Sequence, residues 1–274
     1  LWRSIAWAAY GEQVRRLSLA LIASGFARGD RACIVADSCP EWFFCDLAVI
    51  TSGGISVGIY ATNAPQQVAH VLGDCDARVV FVGNEEQLDK VLQVREMLPA
   101  LERIVVLDME GLRDFRDPMV TSFADFAALG AAQSPGLGAQ RDTRAGAIAP
   151  QDAALLIYTS GTTGPPKGAI LSHSNLVFQA AALHRVMPLS PADELLSFLP
   201  LSHIAERLLS VIRPIFAGAV VNFAESQDTM AQNVREISPT VFFAVPRIWE
   251  KFHSRATLAA RDGTALERLA FRLA

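Results

Sequence analysis

The feature that most constrains this chain is the repeated alternation of short, wholly apolar runs with segments of helical period. Ala32 to Ala36, Arg78 to Val82 and Ile104 to Leu107 read as compact strands. Glu41 to Thr51 reads as a helix ended by the Gly53-Gly54 break. Asn63-Ala64-Pro65 opens a second helix, with Pro near its first position, that runs to near Gly73, and Glu85 to Leu98 reads as a third. Further along, Ala154 to Tyr158, Leu195 to Leu199, Ala219 to Phe223 and Thr240 to Ala244 read as strands, each separated by helical sequence. A strand that is apolar throughout is buried on both faces, and strands joined by helices run parallel. The sequence therefore predicts an α/β fold with parallel-rich sheets covered by helices.

From Gly130 to Gln151 the composition shifts to Ala, Gly, Ser, Pro and Arg without a period, which reads as a linker or surface excursion over 131–151. It divides a first α/β subdomain, residues 1–130, from a second, residues 152–274, the two packing together. With 274 residues, 51% hydrophobic and 19% charged, the chain has ample material for a large core and does not read as disordered. Its formal charge of −4 comes from interspersed residues with no basic block, which argues against nucleic acid as the partner.

Cys33, Cys39, Cys45 and Cys75 show no metal-ligand spacing and read as small buried thiols of a reducing, cytoplasmic compartment. No window reaches the roughly 18 uninterrupted apolar residues of a membrane span. Apolar area between Leu195 and Phe223 leaves room for peripheral membrane contact. Leu1 in place of Met, and a helical pattern still running at Ala265 to Ala274, read as cut ends.

The stretch richest in chemistry is Tyr158-Thr159-Ser160-Gly161-Thr162-Thr163-Gly164-Pro165-Pro166-Lys167-Gly168, which follows the strand Ala154 to Tyr158. Open α/β sheets bind ligands at the carboxyl ends of their strands. Glycines let backbone N–H groups approach and nest an anion, and Thr159, Ser160, Thr162 and Thr163 add hydroxyl donors. Lys167 adds a compact cation suited to polyphosphate. The order of residues differs from the Gly-x-x-x-x-Gly-Lys-Ser/Thr loop, because Lys167 follows Pro166 and precedes Gly168.

The string YTSGTTGPPKGAILSHSN, residues 158–175, closely resembles the phosphate-loop signature of the adenylate-forming superfamily: acyl-CoA synthetases, luciferases and peptide-synthetase adenylation domains. Ile5 to Tyr10 and GGISVGIYAT, residues 53–62, resemble that family's earlier segments in order and spacing. LPLSHIAER, residues 199–207, and VPRIWEKF, residues 245–252, resemble its long-chain fatty acid:CoA ligase branch, and the likeness covers essentially the whole chain.

The resemblance implies two packed subdomains of the family's N-terminal domain and a reaction in two steps. A carboxylate attacks the α-phosphorus of ATP, giving an acyl-adenylate and pyrophosphate; coenzyme A then displaces AMP. It implies that Thr159, Ser160, Gly161, Thr162, Thr163, Gly164 and Lys167 hold the phosphates, with Thr162 or Thr163 near Mg²⁺. Lys167 and His203 are its implied catalytic residues, His203 standing beside the reacting carboxylate. Without the resemblance, His203 reads as a hydrogen-bonded helix-start residue. Glu206 and Arg207 follow within one turn and read as a structural pair. Trp249 corresponds to an aromatic gate on the acyl tunnel; its other reading, an ordinary core aromatic, stays open. His70, His173, His184 and His253 carry no motif and read as surface or cap residues.

The family's later Tyr-Gly-x-Thr-Glu element, ribose-binding Asp and C-terminal Lys do not occur in residues 1–274. The chain is thus expected to be an N-terminal portion, inactive alone, of an enzyme acting on a fatty carboxylate, and a homodimer is compatible with it. An aryl-acid or amino-acid adenylating enzyme is the alternative within the superfamily. A non-catalytic nucleotide-binding module is the alternative outside it.

Overall fold

The computed structural model describes residues 2–159, 164–226, 228–262 and 264. The chain begins with α1 (Trp7–Ala23), then β1 (Arg31–Val35), α2 (Pro40–Thr51), β2 (Ile55–Ile59), α3 (Pro65–Asp74), β3 (Ala77–Val82) and α4 (Glu85–Val94). There follow β4 (Arg103–Val106), β5 (Val120–Ser122), α5 (Phe123–Gly146), β6 (Ala153–Thr159) and β7 (Lys167–Ser172). The remainder carries α6 (His173–Val186), β8 (Glu194–Ser197), α7 (Ile204–Glu206), a π-helical turn at Arg207–Ile212, α8 (Arg213–Ala217), β9 (Val220–Phe223), α9 (Met230–Ile237) and α10 (Pro246–Asp262).

Seven strands form one sheet in the order β5-β4-β3-β1-β2-β6-β7. All neighbours are parallel except β6 and β7, which form an antiparallel hairpin. The alternation of buried side chains shows why the strands are apolar throughout. Ala32 and Ile34 point to a core made with α1, α2 and α5, while Cys33 and Val35 point to one made with α3 and α4. Local signals set the helix starts. Pro65 occupies the first turn of α3, where no N–H is needed. Asn84 caps α4 through the Gln87 N–H at 3.2 Å, and Ser172 caps α6 through the Asn175 N–H at 3.2 Å. A second, two-stranded parallel sheet pairs β8 with β9.

Three expectations are corrected. Residues 131–151 are no linker: 123–146 form the continuous helix α5, which passes through Pro135 and packs along α1. Its sequence lacks an apolar stripe because the contact is made by small residues; a Cβ on Gly130 would fall 1.7 Å from the carbonyl oxygen of Arg16. The first sheet also extends past the expected boundary, since β6 pairs with β2 and brings β7 with it, so residues 153–172 complete that sheet. Finally, Thr240 to Ala244 is not a strand; only Val241 makes a single parallel bridge, to Leu195. The four cysteines are free thiols, with Cys33 and Cys75 in contact at 3.7 Å. No helix among the described residues is long and apolar enough to cross a membrane.

Candidate active site

The phosphate-loop sequence connects β6 to β7. Thr159 pairs with Lys167 and Tyr158 with Gly168, so the loop is the tip of a hairpin. Because β6 runs parallel to β2, that tip lies at the carboxyl edge of the sheet. Lys167 is exposed there and Gly164 takes φ +84°, a left-handed conformation suited to glycine. Ser160, Gly161, Thr162 and Thr163, including the expected metal-contacting hydroxyl of Thr162, lie outside the described residues.

The segment carrying His203 docks on the same edge. Ser38, just after β1, donates its hydroxyl to the Leu199 carbonyl at 2.7 Å. Ser202 presses on β2, where a Cβ added to Gly58 would stand 2.6 Å from the Ser202 Cα. His203 is exposed and caps α7, its Nδ1 accepting the Ala205 N–H at 3.1 Å. In the neutral ring that acceptor role leaves the proton on Nε2, which is then a donor. The helix-start reading and the functional one are therefore compatible.

Glu206 and Arg207 do not pair. Glu206 Oε1 accepts the hydroxyls of Ser197 and Ser210, both at 2.8 Å. Burial pushes its carboxyl above the usual range, and those two hydroxyls draw it back. Arg207 turns the other way, reaching Asp46 of α2 at 3.0 Å and Ser56 of β2 at 3.2 Å, with its guanidinium 4.5 Å from the centre of the Trp42 ring.

Two cavities are bordered by residues on either side of His203 in the chain, Ser202 in one and Ala205 in the other, while His203 itself lines neither. A crevice of about 210 Å³ lies where β1, β2, β8 and β9 end, and its mixed lining includes Asp37, Ser38, Tyr60, Phe198, Ser202 and Glu225. This is the position where open α/β sheets take ligands. Its Gly53–Thr62 and Leu199–Arg207 segments carry sequence signatures; the ends of the other apolar runs are the remaining signal. A largely apolar cavity of about 310 Å³ is walled by Leu183, Leu196, Ala205, Leu208, Leu209 and Phe242, with Glu206 and Arg213 also on its lining. Trp249 does not line it but stands one ring behind, edge-on to Phe242 at 5.5 Å. Its indole is 50% exposed and donates to the Ala244 carbonyl at 3.2 Å.

His70, read as a surface residue, is half-buried and bonds the Pro166 carbonyl at 2.8 Å. No sequence motif marks it. Among the described residues no group of three or more His, Cys, Asp or Glu side chains could hold a metal ion.

A mostly parallel sheet with a Gly, hydroxyl and Lys hairpin at its carboxyl edge places the chain among ligand-binding α/β enzyme folds. The profile of the AMP-binding enzyme family matches residues 1–272, and the chain belongs to that family. It is 34% identical over 274 residues to the long-chain-fatty-acid–CoA ligase ACSBG2 of Xenopus laevis, covering 97% of this chain and 36% of that protein. The chain therefore spans about a third of that relative's length. Its fold is shared with the adenylation domain of a carboxylate reductase from Mycobacterium chelonae (TM-score 0.79, 22% identity, 96% of this chain and 42% of that one). It is shared also with ATP-bound MatB from Rhodopseudomonas palustris (TM-score 0.74, 24% identity, 91% of this chain and 46% of that one).

Proposed function

We propose that these residues supply the phosphate-binding and acyl-binding surfaces of an AMP-forming ligase that joins a fatty carboxylate to coenzyme A. The observation that carries this is the position of His203. The loop before it borders the crevice through Pro200 and Ser202, and the helical turns after it wall the apolar cavity through Ala205, Leu208 and Leu209. A fatty acid lying in the cavity would present its carboxylate at His203, facing a nucleotide held in the crevice and by the hairpin. The cavity is within the range of about 300–1,000 Å³ usual for small-molecule sites.

In the first step a carboxylate oxygen attacks the α-phosphorus of ATP and the bond to the bridging oxygen breaks, releasing pyrophosphate. The two reactants are both anions. The Nε2–H of His203 orients the carboxylate, while Lys167 and the loop hydroxyls neutralise the polyphosphate as charge moves onto it. In the second step the coenzyme A sulfur attacks the acyl carbon and AMP leaves. Asp37 and Glu225 make the crevice unsuited to phosphate, so phosphates belong at the hairpin and uncharged, hydrogen-bonding groups in the crevice. Trp249, pressed on a ring of the cavity wall, is the proposed gate for the acyl chain.

The test is ATP–pyrophosphate exchange by the full natural chain that contains these residues, supplied in turn with palmitate, benzoate and amino acids. Palmitate-dependent exchange is expected, and Lys167→Ala should lower kcat/KM for ATP by about 2–4 kcal/mol of transition-state stabilisation. Exchange driven by an aryl or amino acid would replace the fatty substrate. No exchange with any acid would leave only a nucleotide-binding module.

A further inference from the structure

The hairpin that carries Lys167 ends the sheet: among the described residues β7 pairs only with β6, and Lys167, Ala169 and Ile170 are exposed along it. An edge hairpin needs support if it is to hold a triphosphate in one geometry. That support comes from α3. The Nε2 of His70 lies 2.8 Å from the carbonyl oxygen of Pro166, the residue before Lys167. A carbonyl only accepts, so the ring donates. One turn further on, Asp74 Oδ2 accepts the hydroxyl of Tyr158, the residue before Thr159, at 2.6 Å.

His70 and Asp74 are four positions apart and so share one face of the helix. That face thus touches both stems of the phosphate loop, and the two contacts meet, because the His70 ring stands edge-on to Tyr158 at 6.3 Å. Gly168, paired with Tyr158 across the hairpin, makes room for the ring. A Cβ there would lie 3.1 Å from the Tyr158 Cζ. Burial, with the Asp74 bond, raises the Tyr158 hydroxyl above its ordinary value, which keeps it a donor at neutral pH.

We propose that α3 clamps the phosphate loop, with His70 and Asp74 as positioning residues that act through Pro166 and Tyr158 to hold Lys167 and Thr159 at the spacing a nucleotide triphosphate requires. The proposal rests on the nucleotide reading above. It explains Asp74 and Gly168, which the reaction itself does not use.

The test measures Kd for MgATP by titration calorimetry, KM for ATP and for palmitate, and Tm, all on the full natural chain. His70→Ala and Asp74→Ala should each weaken MgATP about fivefold to tenfold, the scale of one lost hydrogen bond. KM for palmitate should stay within about twofold, since the acyl cavity shares no residue with α3. His70→Gln keeps an N–H donor and should recover most of the affinity. Tyr158→Phe should match Asp74→Ala, and the double variant should be no worse than either, because both remove one bond.

Wild-type MgATP affinity in His70→Ala and Asp74→Ala would overturn the clamp while leaving the nucleotide reading intact. So would parallel losses for ATP and palmitate with a lowered Tm and no recovery in His70→Gln, which marks a merely structural contact. Absence of MgATP binding in the wild-type chain would overturn the nucleotide reading and the clamp with it.

Discussion

At the scale of the residue, the exposure of Trp249 sets the expected cost of removing it. An indole that is 50% exposed, with its N–H satisfied by the Ala244 carbonyl, does not have the environment of a packed core aromatic. A fully buried aromatic costs about 3–5 kcal/mol on truncation to Ala, so half of that, about 2 kcal/mol, is the scale here. Trp249→Ala in the full natural chain should lower Tm by only a few degrees. If the indole gates the cavity behind Phe242, KM should change for long fatty acids and not for short ones. An equal change for both lengths would remove Trp249 from the acyl route. His203 shows the complementary case, in which a bland structural role fixes the chemistry. By accepting the Ala205 N–H at Nδ1, the ring is left with a donor at Nε2.

At the scale of the element, most of the strands are legible in the sequence, whereas β2, β5, β7 and the contacts between helices are not. Strands β1, β3 and β4 declare themselves because both faces are buried, which leaves no polar position to interrupt the run. Strand β2 is hidden by Ser56 and Gly58, and both exceptions have causes: Ser56 receives Arg207, and Gly58 lies against Ser202. The proposed phosphate loop is legible from its donors, whereas its proposed clamp is not, since His70 and Asp74 act only through a hairpin nearly a hundred residues away. Helix α5 escapes a sequence reading for the same reason in another form. Its small residues are there to let α1 come close, and they erase the apolar period. Two glycines of this helix give opposite predictions. A Cβ added at Gly136 would meet nothing within 4 Å among the described residues, so Gly136→Ala should stabilise by roughly 0.5–1 kcal/mol through helix propensity. Gly130→Ala would drive its methyl into the Arg16 carbonyl and force the helices apart, costing roughly 1–3 kcal/mol. Urea unfolding of both variants checks the pair, and the same sign for each would mean that helix spacing is not what Gly130 secures.

At the scale of the molecule, the candidate site exists only because the segment 199–207 is seated on the seven-stranded sheet, and the deepest of its anchors is Arg207. The guanidinium is 0% exposed and Asp46, 3.0 Å away, is 2% exposed. Among the described residues, Asp46 Oδ1 and the Nε and Nη1 of Arg207 lack a well-formed hydrogen bond, so the contact is ionic and imperfectly satisfied. Burial raises the Asp46 carboxyl, and the Arg207 charge only partly offsets it. Such a pair contributes little net stability, yet breaking it leaves one charge stranded in a dry interior, at a cost of about 3–5 kcal/mol. Asp46→Leu and Arg207→Met, each alone, should therefore destabilise the protein severely. Together they replace both charges with apolar groups that can pack on Trp42, and the double variant should recover most of the loss. The measurement is a double-mutant cycle by guanidinium unfolding. Recovery would show that the ion pair fixes how the segment is seated more than it stabilises the fold. A double variant as unstable as the worse single one would mean that the charges themselves hold the segment on the sheet.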